Sequence, residues 1–149
     1  MYYFAYGSNL SKKQMTKRCP DSKPISVASL TDHKVIFTGY SIKWDGGVAT
    51  VIPSQGDTAM GAIYDVSQVD LDSLDKSEGY HNKVYDRKIF HLTDSMGNIL
   101  DAIAYYKLGQ MIETTPSKQY LTVIQEGYRD WGIDSWIKGC RYSGHHCDD

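Results

Sequence analysis

Short β-type runs, each closed by a turn, dominate this chain and restrict what it can become. Apolar, β-branched and aromatic residues cluster at 1–6, 25–40, 48–52, 60–66, 84–93 and 99–106. The punctuation between the runs is specific. Asp45-Gly46, inside Trp44-Asp45-Gly46-Gly47, is a hairpin signal. A break falls near Thr31-Asp32-His33, Pro53 is expected to stop the strand before it, Gln55-Gly56-Asp57 reads as a turn, and Asp94 to Asn98 reads as a hairpin loop. Helical patterns are few. Lys12 to Arg18 is one. Val69, Leu71 and Leu74 form a second, with Ser67 as N-cap, Asp70 in capping-box position and Gly79 placed for a left-handed C-cap after Ser77-Glu78. The third is expected to open at Thr115-Pro116, with Thr as cap, and to carry Leu121, Ile124, Tyr128 and Trp131 on one apolar face up to Gly132. Gly127 should cost it up to about 1 kcal/mol relative to Ala.

Many short strands and few helices in 149 residues predict a single α+β domain over 1–140. Its mixed sheet should curl into a small β-barrel-like core with a few flanking helices. One further turn is expected over 133–139, and a polar tail over 141–149.

Charge and cysteine usage narrow the function classes. The 16 basic and 18 acidic residues leave a net charge of −2 with no arginine-rich run, which disfavours nucleic acid. No run approaches the roughly 18 apolar residues of a membrane span, and no signal-peptide pattern opens the chain. Cys19, Cys140 and Cys147 are an odd, widely spaced set, suited to a reducing compartment. A cytoplasmic protein is the expectation. His145-His146-Cys147-Asp148-Asp149 lacks the separated ligand pairs of a structural zinc site, and no nucleotide or hydrolase fingerprint is present. Neither a metal nor a cofactor is expected.

Two places could carry chemistry. In Tyr3-Phe4-Ala5-Tyr6-Gly7-Ser8-Asn9-Leu10 a buried strand breaks at Gly7, and helix-capping residues follow. Such a turn gathers backbone N–H groups that attract carboxylates and developing oxyanions. Gly7 is expected to use φ > 0 and to leave room for a ligand. The alternative is an ordinary helix cap. The second place is Glu78, a carboxylate at the unfavourable negative end of a helix. There, burial would raise its pKa towards neutrality and suit it to moving protons. The alternative is a solvated glutamate beside a glycine cap. Tyr85 and Arg87 lie just downstream. Arg87 can pair with Asp75 or a ligand, or can simply decorate the sheet. Tyr120, rotated from the apolar face of the third helix, reads as a half-buried boundary residue.

Taken together, these segments resemble the γ-glutamylcyclotransferases (the γ-glutamyl-amino-acid branch of the AIG2-like family). Tyr6-Gly7-Ser8-Asn9-Leu10 is similar to that family's glycine-turn signature. Trp44 to Thr50 with Pro53 to Asp57 is similar to its central hairpin, Leu71 to Gly79 with Tyr85 and Arg87 to its catalytic segment, and Pro116 to Tyr120 to the opening of its last long helix. The match runs from Met1 to about Ile133, and the Gly-His-His-Cys-Asp-Asp tail departs from it. The resemblance implies conversion of an L-γ-glutamyl amino acid or amide to 5-oxoproline and a free amine, without cofactor. Glu78 would be the catalytic proton shuttle. Tyr6, Gly7, Ser8, Asn9, Leu10 and Tyr120 would bind substrate, supported by Tyr85 and Arg87. The partner is then a small γ-glutamyl molecule, with a homodimer left open. Two other classes stay open as well: a cyclotransferase for a larger γ-glutamylamine or isopeptide, and a non-catalytic binding module. Leaving-group choice would rest with loops such as Ser41–Asp45, His81–Lys83 and Gly109–Thr115.

Overall fold

The computed structural model describes residues 1–133. The expected turn after Ile133, and the tail with Cys140, His145, His146 and Cys147, lie outside these residues. Five strands close into a barrel: β1 (Tyr2–Ala5), β2 (Lys23–Ser41), β3 (Gly46–Asp65), β4 (Tyr85–Asp94) and β5 (Ile99–Lys107). Around the closed sheet the order is β1-β3-β2-β4-β5. Every pairing is antiparallel except the closing one, where β5 meets β1 in parallel at Tyr3 and Ile103. A 3-10 turn (Ser8–Leu10) and three helices complete the fold: α1 (Lys12–Arg18), α2 (Gln68–Glu78) and α3 (Lys118–Trp131).

β1 shows why the first run is apolar throughout. Phe4 points into the barrel core with Val35, Phe37 and Ile63. Its neighbours Tyr3 and Ala5 point the other way, into a second cluster with Met15, Leu71 and Leu74 beneath α1 and α2. A strand covered on both faces has no polar side to display.

Two expectations change. Pro53 does not end a strand. β2 and β3 form one long bent hairpin, with His33 opposite Pro53 and Thr31 opposite Thr58, so residues 54–57 bulge against Asp32 alone. Asp32 takes φ 59°, and its Oδ1 accepts the Gly56 N–H at 3.0 Å, so the expected turn is a bulge held inside the ladder. The third helix also begins later than expected. Ser117, not Thr115, caps it, accepting the Tyr120 N–H at 3.1 Å. The Thr115 carbonyl is taken instead by the Gly47 N–H at 2.9 Å.

α2 follows its capping signals, and Leu71 and Leu74 are buried as expected, but Val69 is exposed. The Ser67–Asp70 capping box is complete, and Gly79 closes the helix at φ 67°. α3 lies across the 3-10 turn: the Trp131 Nε1–H donates to the Leu10 carbonyl at 3.0 Å, and Asp130 accepts the Lys12 N–H at 2.9 Å. These contacts fix the turn on which the site is built.

Candidate active site

A cavity of about 320 Å³ opens where the end of β1, the 3-10 turn, the β2–β3 hairpin and the C-terminus of α2 converge. Gly7, Ser8 and Asn9 form one wall and Glu78 another, and Tyr6, Tyr85 and Tyr120 face the same space. Residues far apart in sequence are thus brought to one site.

The turn is held by its side chains. The first bond within it runs from the Leu10 N–H to the Gly7 carbonyl, so Gly7, Ser8 and Asn9 precede the hydrogen-bonded ladder. The Arg18 guanidinium and the Gln14 amide both donate to Asn9 Oδ1 at 2.9 Å. Arginine can only donate, which sets the orientation of the Asn9 amide. Its Nδ2 then donates to the Tyr3 hydroxyl at 2.9 Å. Ser11, rather than Ser8 or Asn9, caps α1. Gly7 takes φ −119°, not the expected positive value. Its requirement is space: a Cβ there would sit 3.3 Å from Ala49 Cβ and 3.5 Å from the Tyr120 hydroxyl.

Ala49 on β3 anchors two of the tyrosines. Its N–H donates to the Tyr120 hydroxyl at 2.9 Å, and its carbonyl accepts from the Tyr85 hydroxyl at 2.7 Å. Tyr120 is fully buried rather than half-buried, with its ring against Trp44 at 4.9 Å and edge-on to Phe37 at 6.0 Å. Because Tyr3 and Tyr120 accept from N–H groups, each keeps its own O–H to donate. Burial pushes the phenols of Tyr3, Tyr6, Tyr85 and Tyr120 above their ordinary range, and the Glu78 charge pushes them further. They stay protonated donors.

Glu78 ends α2 with its carboxyl turned to this cavity. Burial raises its pKa to about 7, against the opposing pull of Arg18 and Lys43. A carboxyl poised near neutrality can take a proton and give it back within one cycle.

Two expected residues lie elsewhere. Leu10 is fully buried in the barrel core and is not part of the cavity lining. Arg87 is also outside the lining. It pairs with the buried Asp75, to which the Tyr105 hydroxyl donates at 2.5 Å, and it covers the Tyr80 ring at 4.4 Å. Asp75 lies one turn before Glu78 on α2, so the pair ties that helix end to β4 and β5. Of the three expected specificity loops, only the hairpin residues Ser41, Lys43 and Trp44 reach the cavity.

Sequence reasoning missed Tyr3, Arg18, Lys76 and Lys107 as cavity residues, whereas Lys43 and Trp44 fall in the expected Ser41–Asp45 loop. A signal for Arg18 existed. Gln14 and Arg18 are four apart on α1, so both face back to the turn before the helix.

The comparisons with known proteins agree with this geometry. A model of the AIG2-like family matches residues 58–135. The curated gamma-glutamylcyclotransferase of Bos taurus is 33% identical over 135 residues, covering 88% of this chain and 71% of the bovine protein. The protein of the same name from Homo sapiens is 31% identical over the same shares. A solved structure described as gamma-glutamyl cyclotransferase superposes with a TM-score of 0.88 at 27% identity, covering 99% of this chain and 94% of that one. The barrel fold, the cavity at the glycine turn and these relatives lead to one assignment: this chain belongs to the AIG2-like γ-glutamylcyclotransferase family.

Proposed function

We propose that the protein is a γ-glutamylcyclotransferase that converts an L-γ-glutamyl amino acid to 5-oxoproline and the free amino acid. The observation that carries this reading is Glu78. It is a carboxyl poised near neutral pH, facing the same cavity as the Gly7–Ser8 turn.

The substrate's own α-amino nitrogen attacks the carbonyl carbon of its side-chain amide, and a five-membered ring closes. Holding both groups in one folded geometry lowers the barrier by up to roughly 7–11 kcal/mol for ideally oriented pairs. Glu78, as carboxylate, takes the proton that the α-amino group must lose. It then delivers that proton to the leaving nitrogen as the amide C–N bond breaks. One residue acts as base and then as acid, so it returns to its starting state. The turn N–H groups of Gly7 and Ser8 supply donors for the anionic oxygens of the substrate, its carboxylate or the tetrahedral oxygen. The Tyr120 O–H, left unused by its Ala49 contact, donates to the glutamyl portion.

Incubation with L-γ-glutamyl-L-alanine and mass spectrometry of the products tests this reading. The expected products are 5-oxoproline and alanine in equal amounts. Free glutamate with alanine would mean water is the nucleophile, and the cyclisation would be wrong.

A further inference from the structure

The cavity carries more positive charge than a simple γ-glutamyl dipeptide requires. Arg18, Lys43, Lys76 and Lys107 line it, against the carboxylate of Glu78. The chain as a whole has 16 basic and 18 acidic residues, so general basicity does not explain a four-to-one excess at this place. Among the described residues, none of the four lies within ion-pair distance of a carboxylate.

Their positions divide the work. Arg18 is fixed on Asn9, beside the turn expected to hold the glutamyl portion. The lysines come from three separate elements: Lys43 from the β2–β3 hairpin, Lys76 from the last turn of α2, and Lys107 from the end of β5. Lys43 and Lys76 are exposed and Lys107 is half-buried, which puts them on the open side where a leaving group would lie. Lys43 lies along the Trp44 ring at 5.3 Å, and its pKa is lowered by partial desolvation and then by repulsion from Arg18, against the opposing pull of Glu78. An arriving anion would relieve that repulsion.

We infer that the enzyme prefers γ-glutamyl substrates whose leaving amine is an acidic amino acid, with the side-chain carboxylate received by Lys43, Lys76 and Lys107. This inference rests on the cyclotransferase reading above and adds the class of leaving group. A neutral leaving amino acid presents one carboxylate to three lysines, whereas an aspartate or glutamate presents two. The chemistry is unchanged: the ring C–N bond forms, the amide C–N bond breaks, and one proton passes through Glu78 to the leaving nitrogen. The acidic amino acid leaves as a free amine.

The test compares γ-glutamyl-glutamate with γ-glutamyl-glutamine, which matches it in size without the second negative charge. The wild-type protein should show a kcat/KM for 5-oxoproline release about tenfold higher for the acidic substrate, equivalent to about 1.4 kcal/mol. That ratio should fall with added salt, because the lysines are at the open side. In Lys43→Gln/Lys76→Gln/Lys107→Gln the ratio should fall towards one. Equal kcat/KM for the two substrates in wild type would overturn the acidic preference and leave the cyclotransferase reading standing. A preference that survives in the triple variant would overturn the assignment to these lysines. No 5-oxoproline from either dipeptide, or from γ-glutamyl-alanine, would overturn both readings.

Discussion

Glu78 is where the sequence breaks its own local rules. A carboxylate is unfavourable at a helix C-terminus, and partial burial adds to the cost. Its folded pKa of about 7 stands above the ordinary 4.5. A carboxyl whose pKa is raised on folding contributes stability below its unfolded value and loses that contribution as the pH rises through its folded value. Glu78→Gln should therefore melt at a higher temperature than wild type at about pH 8, with the gap closing below about pH 5. Equal melting temperatures at the higher pH would mean that Glu78 is solvated. Arg87 acts in the opposite sense. Its loss leaves the buried Asp75 without its cation and with only the Tyr105 hydroxyl, so Arg87→Met should cost about 3 kcal/mol in urea unfolding. At this scale the sequence was legible where a residue violated a rule, as at Glu78. It also offered Asp75 as a partner for Arg87, a pairing found in the structure. It was not legible for Lys107, which reaches the cavity from the end of β5.

At the level of elements, glycines mark where one segment presses on another. A Cβ at Gly127 would lie 2.4 Å from Leu10 Cβ and 2.6 Å from the Ser11 nitrogen. Helix propensity alone says that Gly127→Ala should stabilise α3 by up to about 1 kcal/mol. The contact says the reverse, a loss of about 1–3 kcal/mol as α3 is pushed from the turn. Chemical denaturation decides between them, and a stabilised Gly127→Ala would mean that the turn does not need α3 so close. Gly46 and Gly47 do the same at the hairpin: a Cβ would come within 2.7 Å of the Ser117 nitrogen at the first and 2.4 Å of Thr114 Oγ1 at the second. That approach explains the late start of α3. The sequence offered Thr115-Pro116 as a local helix start, but Thr115 is occupied by Gly47, a partner more than sixty residues away. The α2 boundaries were legible because capping is local. The continuous β2–β3 hairpin was not, because a bulge that carries a strand past proline is set by its partner strand.

At the level of the molecule, a closed five-stranded barrel converts distant sequence segments into one cavity. The glycine turn follows β1, Glu78 ends the helix after β3, and Tyr120 opens α3. Pairing of β1 with β3 and the Ala49–Tyr120 contact join these walls, and closure of β5 onto β1 adds Tyr105 and Lys107. The strand-rich pattern made the barrel legible, and the motif order made the family legible. The charge of the cavity was not, because a net charge of −2 conceals a local excess of lysine and arginine. The central claim is that a substrate cyclises on itself while Glu78 moves the proton. The most direct test measures 5-oxoproline release from γ-glutamyl-alanine by wild type and Glu78→Gln, from about pH 5 to about pH 9. The account predicts a wild-type kcat/KM that rises through about pH 7 as Glu78 ionises. It also predicts a Gln variant that keeps the fold and still binds 5-oxoproline but is slower by at least about a hundredfold. Wild-type-like turnover in the Gln variant would remove Glu78 from the mechanism.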